Sequence, residues 1–325
     1  MIRHASIFSQ FLQVGRTKIV LSLVTTLLFL EGVFNQSDGR VQESTSPPNF
    51  QMGYSRETFS PQQVIVNIPA YRLTLYTQDG DSWRTLTLPI GVGRGTEPSN
   101  ETPTGEGYLY AKETGVVFRY GDQNPEDLVG KVIKYSNTFD KKTLRPIKIP
   151  MPKDMKSVFM AILNDQTQTP NEQFVLHETT DWYTIQTPVS NGCIRLDGED
   201  MQNFYDALAP EVGSGRFPLP VPISIRYEIV EYDDRYRRLI LHANVYHRPL
   251  DYFDEILKVL SQGAIDLGRI HVPDLSWRIA EAEAQFQVTE KYIRKKLSQP
   301  PSKRLLLDEE KQPLHYSIFL EEILR

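Results

Sequence analysis

The stretch Leu176-His177-Glu178-Thr179-Thr180, followed after a short gap by Ser190-Asn191-Gly192-Cys193-Ile194-Arg195-Leu196, contains the only cysteine of the 325 residues. A histidine lies upstream of this cysteine, a glycine directly before it and an arginine two residues after it. Attack of a thiol on a carbonyl needs a base that takes the thiol proton and N–H groups that bind the oxyanion. Because the stretch can supply both, we predict a cysteine nucleophile that performs acyl transfer.

Cys193 is the predicted nucleophile and His177 its base, since His177 follows a short apolar strand and precedes the cysteine closely. The backbone N–H groups of Gly192 and Cys193 are the predicted oxyanion donors, because glycine lets the backbone approach a substrate. The fork of Arg195 suits a substrate carboxylate, and a surface salt bridge is the alternative. A small core cysteine and a structural histidine are the alternatives for the pair.

The composition excludes several classes of function. Apolar residues make up 40% and charged residues 24% of the chain, which is ordinary for a globular protein. The net charge of −5 argues against nucleic acid as a partner, since phosphate binding needs a basic face. The 22 prolines and 16 tyrosines fit a β-rich protein. One cysteine excludes an internal disulfide and a cysteine-based zinc site, and we predict neither a metal nor a cofactor.

Residues 1–34 have the pattern of an export segment. Arg3, Arg16 and Lys18 precede the apolar run from Ile19 to Leu30, and no acidic residue occurs before Glu31. The run is shorter than the roughly 20 apolar residues that span a bilayer comfortably. It predicts a signal peptide or an uncleaved membrane anchor over residues 19–34, with a buried core helix as a third interpretation. We therefore expect export to the periplasm or cell envelope, anchored in the inner membrane if the segment is retained.

Strand patterns follow a polar segment, residues 35–62, that is predicted to be a linker. Alternating and β-branched residues, with an Asp79-Gly80 turn, predict the opening strands. The predicted strands cover 64–68, 72–76, 84–90, 108–110, 116–120, 174–176, 220–227 and 238–243. The polar segment 121–154 is interpreted as a surface loop, with a lid over the site as the alternative. No helical pattern follows the Gly-rich residues 91–95, so nucleotide binding is not predicted.

Helical patterns appear late in the chain. A helix from Met201 to Leu208 is predicted, because acids fill its first turn, where the helix dipole favours them. Apolar stripes over 250–260 and 275–297 predict two more helices, whose stripes we expect to pack against the core domain, with partner binding as the alternative. The organisation predicted is thus a core domain at 63–230 and, at 231–325, a strand plus a helical extension of unknown role.

Ser190-Asn191-Gly192-Cys193-Ile194-Arg195-Leu196 resembles the Ser-His-Gly-Cys-Ile-Arg-Leu signature of the L,D-transpeptidases of the YkuD/ErfK type. The opening strands, Val64 to Tyr76, are also similar to those of this family. Leu88 to Gly93 followed by Thr102-Pro103-Thr104-Gly105 resembles its Gly-rich and Thr-Pro-x-Gly segments, and Leu176-His177-Glu178-Thr179 resembles its Ile-His-Gly-Thr. The resemblance spans residues 63 to 230, and the motifs occur in the family's order.

The resemblance implies a mainly β (α+β) fold, a β-sandwich-like catalytic core capped by a short helix. Cys193 would be acylated, His177 would be its base, and the backbone carbonyl of Glu178 would orient that histidine. Arg195, Ser190, Asn191 and Thr179 would contact the substrate. The implied substrate is a peptidoglycan stem tetrapeptide, attacked at its third residue with release of D-Ala.

The implied acceptor is an amine, either on another stem, which gives a 3-3 cross-link, or on an anchored protein. A hydrolase on the same scaffold and a non-catalytic wall-binding module remain as alternatives.

Two departures from the family pattern bear on activity. Asn191 stands where the family usually has a second histidine, and asparagine donates hydrogen bonds but does not titrate near neutrality. Glu178 stands where the family usually has glycine, and its charge is expected either to raise the pKa of His177 or to crowd the acceptor site. We interpret both as tuning of rate or acceptor choice, with loss of activity as the alternative.

Overall fold

The computed structural model describes residues 42–44, 60–95, 100–116, 118–119, 126, 128–143, 145–163, 170–208, 216–298 and 314–325. The predicted export segment, residues 1–34, lies outside them, as does most of the predicted linker. Within these described ranges, no helix is long and apolar enough to cross a membrane.

Strands dominate the described chain. They are β1 (Gln42–Ser44), β2 (Gln62–Asn67), β3 (Arg72–Asp79), β4 (Ser82–Pro89), β5 (Val92–Gly93), β6 (Gly105–Thr114), β7 (Tyr135–Phe139), β8 (Pro146–Pro150), β9 (Lys156–Leu163), β10 (Pro170–Thr179), β11 (Pro188–Ser190), β12 (Ile194–Asp197), β13 (Arg216–Arg226), β14 (Val230–Asp233), β15 (Arg238–His242) and β16 (His315–Phe319). The helices are α1 (Gly198–Ala207), α2 (Tyr252–Gln262) and α3 (Val272–Ser298).

The predicted mainly β core is confirmed. Among the described residues, nine strands form one sheet in the order β1-β4-β3-β2-β13-β6-β9-β10-β12, and β5 pairs with β11 in a second, two-stranded sheet. Most neighbours are antiparallel, but β2–β13 and β10–β12 are parallel. Helix α1 covers one side and contributes the buried Met201, Phe204 and Tyr205 to the same apolar core.

Two predictions for the catalytic region are wrong in detail. The strand expected at 116–120 does not form in the described residues there; Arg119 makes only an isolated bridge to Val132. The linker at 35–62 is not wholly outside the fold, because β1 pairs with β4 and β2 begins at Gln62. Propensity alone missed β1 because its polar residues gain their place from pairing with an existing edge.

The C-terminal extension has its own core, so the prediction that its helices pack against the catalytic core is wrong. Strands β14, β15 and β16 form a three-stranded sheet, and a separate apolar cluster joins that sheet to α2 and α3. The buried face of α2 is Tyr252, Ile256 and Leu260. The unpredicted last strand, β16, supplies this second core with the fully buried Ile318.

Candidate active site

The parallel pairing of β10 with β12 brings the two halves of the motif together. His177 lies opposite Arg195, and Leu176 lies opposite Ile194. Leu176 and Ile194 are fully buried in the core. Because side chains alternate along a strand, His177 and Arg195 project from the opposite face, and Cys193, two residues before Arg195, starts on that same face.

His177 is held by its own strand. Its Nδ1 lies 2.8 Å from the carbonyl oxygen of Glu178, so Nδ1–H donates and the lone pair of Nε2 is free. Burial and the nearby charge of Arg195 lower the pKa of His177 to about 4, although the Glu178 carbonyl opposes the shift. The imidazole is therefore neutral at pH 7 and able to accept a proton.

The Cys193 thiol lies against β10. Burial raises the pKa of this thiol, while the backbone N–H of Val175 and the charge of Arg195 act in the opposite direction. Val175 is two residues before His177 and on the same strand, which places the sulfur beside the histidine's face of the sheet. With the thiol pKa raised and the histidine pKa lowered, the resting pair is neutral rather than an ion pair.

The turn that precedes Cys193 requires glycine. Gly192 has φ +105°, a conformation that other residues rarely adopt, and a Cβ there would lie 3.1 Å from Phe174 Cε1 and 3.2 Å from the Glu101 carbonyl oxygen. The backbone is thus packed closely on both sides. Its fixed geometry presents the N–H groups of this turn next to the thiol.

Arg195 makes no ion pair with a carboxylate among the described residues. Its buried Nε has no hydrogen-bond partner among these residues, and Asp181 acts on it only as a nearby charge. Burial lowers the pKa of Arg195, and the charge of Asp181 resists that shift. The backbone of Arg195 is fixed by two hydrogen bonds with Gly91, each 2.9 Å long. A desolvated, unpaired guanidinium beside a nucleophile suits an anionic substrate group.

The side chain of Glu178 points away from the histidine. Its Oε2 accepts a hydrogen bond of 3.2 Å from the backbone N–H of Lys156, and its Oε1 lies near Gly198 at the start of α1. Burial raises the pKa of Glu178, and the Lys156 N–H opposes the shift. The expectation that this carboxylate raises the pKa of His177 is wrong, because alternation along β10 puts the two side chains on opposite faces.

Three predicted substrate-contacting residues have partners inside the protein. The hydroxyl of Ser190, 1% exposed, donates to the carbonyl of Cys193 and so braces the turn. Thr179 is buried, and its hydroxyl accepts the N–H of Asp181 at 3.1 Å. Asn191 is exposed, and its Oδ1 accepts a hydrogen bond from the guanidinium of Arg94. Of these residues, Asn191 alone lies open to a substrate.

The segment 121–154 is more than a solvated surface loop. Its described residues include the antiparallel hairpin β7–β8, and Thr138 donates a hydrogen bond of 2.5 Å to the carbonyl of Thr180. Lys141 Nζ lies 2.6 Å from Asp197 Oδ2, at the start of α1. Just before the hairpin, the ring of Phe118 lies 5.1 Å from that of His177. Hydrogen bonds and an ion pair therefore hold the hairpin next to the ends of β10 and β12.

Two further residues of the site were not predicted. Thr102 is fully buried, and its hydroxyl donates to the carbonyl of Gly192 at 3.0 Å. Arg94 holds Asn191, and its backbone N–H donates to the Ser190 carbonyl at 3.0 Å. Thr102 belongs to the Thr-Pro-x-Gly segment and Arg94 to the Gly-rich one. Both residues therefore lie in motifs visible in the sequence, but the motifs do not indicate which groups these residues bind. In the described ranges, no group of His, Cys, Asp and Glu side chains is arranged to hold a metal ion.

The region that contains this site matches a known protein family. Residues 61–223 match the family model of the L,D-transpeptidase catalytic domain, YkuD. Among solved structures, Bd1075 of Bdellovibrio bacteriovorus is 15% identical, with 53% of this chain and 49% of that one covered and a TM-score of 0.31. An L,D-transpeptidase of Mycobacterium smegmatis is 19% identical, with 51% and 59% covered and a TM-score of 0.29.

L,D-transpeptidase 3 of Mycobacterium tuberculosis is 16% identical, with 51% of this chain and 61% of that one covered and a TM-score of 0.27. The matches thus span 49% to 61% of these solved chains. No curated protein matches this chain.

Proposed function

Because this chain belongs to the family of L,D-transpeptidase catalytic domains, YkuD, we propose that it is itself a peptidoglycan L,D-transpeptidase with Cys193 as nucleophile. The observation that carries the proposal is the hydrogen bond from His177 Nδ1 to the Glu178 carbonyl at 2.8 Å. It leaves Nε2 as a base on β10, which pairs with β12, the strand that begins directly after the cysteine. Since the family acts on the peptides of peptidoglycan, a stem tetrapeptide is the proposed donor.

The first half-reaction forms a thioester. The Cys193 sulfur attacks the carbonyl of the third stem residue as its proton passes to Nε2 of His177. The N–H groups of Gly192 and Cys193 bind the oxyanion. The carbon–nitrogen bond to the terminal D-Ala then breaks, and the D-Ala nitrogen takes the proton from His177 and leaves as an amine. Arg195 binds a stem carboxylate and thereby fixes the scissile bond over the sulfur.

The second half-reaction transfers the acyl group to an amine. The incoming amine attacks the thioester as its proton passes to His177, which is now neutral again. The carbon–sulfur bond then breaks, and His177 returns the proton to the sulfur, which regenerates the thiol. The acceptor is an amine of another stem or of an anchored protein. Water in its place gives hydrolysis, and exclusion of water decides between the two outcomes.

The expected site of action is the cell envelope. The basic residues and apolar run of residues 1–34 support export as a signal peptide or membrane anchor. A peptidoglycan substrate is consistent with that destination.

Product analysis tests the proposal. The full chain and Cys193→Ala are incubated with a disaccharide tetrapeptide, and the products are identified by mass. We expect cross-linked dimer that has lost one D-Ala, and none with Cys193→Ala. Tripeptide alone would mean a hydrolase, and unchanged tetrapeptide would mean a module that only binds the wall.

A further inference from the structure

A tyrosine from outside the matched family region, residues 61–223, is linked by hydrogen bonds to the turn at Gly192 and Cys193, here called the catalytic turn. Tyr246 follows β15 and is 6% exposed. Its ring stacks on Tyr227, with centroids 5.4 Å apart, and its backbone N–H donates to the Tyr227 hydroxyl at 2.7 Å. The guanidinium of Arg248 lies 4.1 Å from the centroid of the Tyr227 ring. Tyr246 therefore has a fixed place before any substrate binds.

The Tyr246 hydroxyl connects to the turn through one residue. It accepts the backbone N–H of the fully buried Thr102 at 3.1 Å. The Thr102 hydroxyl in turn donates to the carbonyl of Gly192 at 3.0 Å and accepts the N–H of Gly93 at 2.8 Å. Tyr246, Thr102 and Gly192 are thus joined by consecutive hydrogen bonds, so each link restrains the next.

The restraint falls on the predicted oxyanion donor. In a planar trans peptide, the carbonyl of one residue and the N–H of the next point in opposite directions. The Gly192 carbonyl and the Cys193 N–H belong to the same peptide. When Thr102 fixes the carbonyl, it also fixes the direction of the Cys193 N–H.

A second contact holds the same loop. Arg248 pairs with Glu101 at 3.1 Å, directly beside Thr102. The Glu101 carbonyl lies against Gly192, 3.2 Å from where a Cβ would be. Gly93 also fits only as glycine, because a Cβ there would lie 2.5 Å from the Thr102 nitrogen. Residues 246–248 thus bind Glu101 and Thr102, two consecutive loop residues. Both of these residues pack against Gly192.

We propose that Tyr246 is a positioning residue for acyl transfer, acting through Thr102 and the Gly192 carbonyl to aim the Cys193 N–H at the oxyanion. The C-terminal extension thereby completes the catalytic site rather than only adjoining it. This inference rests on the function proposed above.

Two reactions of the Cys193 thiol distinguish loss of oxyanion positioning from a general disturbance of the site. Acylation of Cys193 by a carbapenem passes through an oxyanion, whereas alkylation by iodoacetamide displaces iodide and forms none. Both are followed on the full-length protein by intact mass, the alkylation at pH 9, where more of the thiol is ionised. Tyr246→Phe removes the hydroxyl and keeps the stacked ring.

We expect Tyr246→Phe to slow carbapenem acylation about tenfold, less than the loss of a whole oxyanion donor, and to leave alkylation within about twofold. Thr102→Val should slow acylation more than Tyr246→Phe, and Thr102→Ser should recover most of that loss, since it retains the hydroxyl. The matched control is Tyr252→Phe, which deletes another buried hydroxyl, bonded to the His242 carbonyl at 2.6 Å. The acylation and alkylation rates of Tyr252→Phe should equal those of the wild type.

If the carbapenem acylated Tyr246→Phe at the wild-type rate, the inference would be overturned. An equal slowing of acylation and alkylation would also overturn it, because that result indicates a structural role. Failure of the wild-type protein to be acylated at all would instead refute the proposed function, and this inference with it.

Discussion

Replacing Gly192 by alanine should damage the catalytic turn far more than it damages the fold. At φ +105° an alanine carries a backbone cost of about 2 kcal/mol. Its Cβ would also lie 3.1 Å from Phe174 and 3.2 Å from the Glu101 carbonyl, so neighbours on both sides must move by tenths of an ångström. Strain and crowding together should lower the free energy of unfolding by about 2–3 kcal/mol.

The effect on chemistry should be larger, because relief of that strain rotates the peptide that carries the Cys193 N–H. Loss of one oxyanion donor lowers rates by about a hundredfold or more. We expect Gly192→Ala to slow carbapenem acylation by about that factor. Acylation is measured by intact mass at several carbapenem concentrations, and stability by urea unfolding.

Gly80→Ala is the matched control. Gly80 also has a positive φ, +61°, but a Cβ there would meet nothing within 4 Å. Its free energy of unfolding should fall by about 1 kcal/mol, with acylation unchanged. If Gly192→Ala were acylated at the wild-type rate, the turn would not supply the oxyanion site and the reasoning would be refuted.

The other predictions concern His177, Glu178 and Glu231. With the pKa of His177 lowered to about 4, acylation at pH 5 should stay close to its pH 7 rate; an unshifted histidine, pKa about 6.5, would instead slow it about twentyfold. The same shift should reduce stability as the pH falls from the unfolded value towards 4, seen in urea midpoints. Glu178→Gln should keep the acylation rate within about twofold, because its side chain faces away from His177; a large loss would contradict that placement. Glu231→Gln should lower the free energy of unfolding by about 2 kcal/mol, because Arg72 donates to both carboxylate oxygens of Glu231. This value is already reduced to allow for the partial exposure of Arg72. Burial opposes ionisation of Glu231, but His242 and Arg72 hold its pKa low, so this contribution should persist above pH 5 and fade in acid; equal urea midpoints for variant and wild type at pH 7 would refute it.

Local patterns were enough to predict the parts of the fold that rest on neighbours in sequence. The alternation through residues 64–90 and the Asp79-Gly80 turn predicted β2, β3 and β4, which pair as expected. The acids after Asp197 predicted α1, and Asp197 caps it by accepting the Gly198 N–H. Each of these features has its cause within a few residues.

What the sequence did not reveal depends on distant contacts. Thr102 and Tyr246 are 144 positions apart, and no local pattern indicates that one bonds the other. Strand β16 has only five residues, too short a run to stand out in the sequence, and it forms because β15 offers it an edge. Strand alternation places the Glu178 side chain on the face opposite His177, whereas its residue type alone indicates only its charge.

The central claim, that Cys193 becomes acylated by a stem peptide, is tested most directly by trapping that thioester. The full chain is mixed briefly with a disaccharide tetrapeptide, quenched in acid, and examined by intact mass and peptide mapping. We expect a mass increase equal to the donor less D-Ala, located on the peptide that contains Cys193 and absent from Cys193→Ala. An adduct at another residue, or one that survives Cys193→Ala, would contradict it.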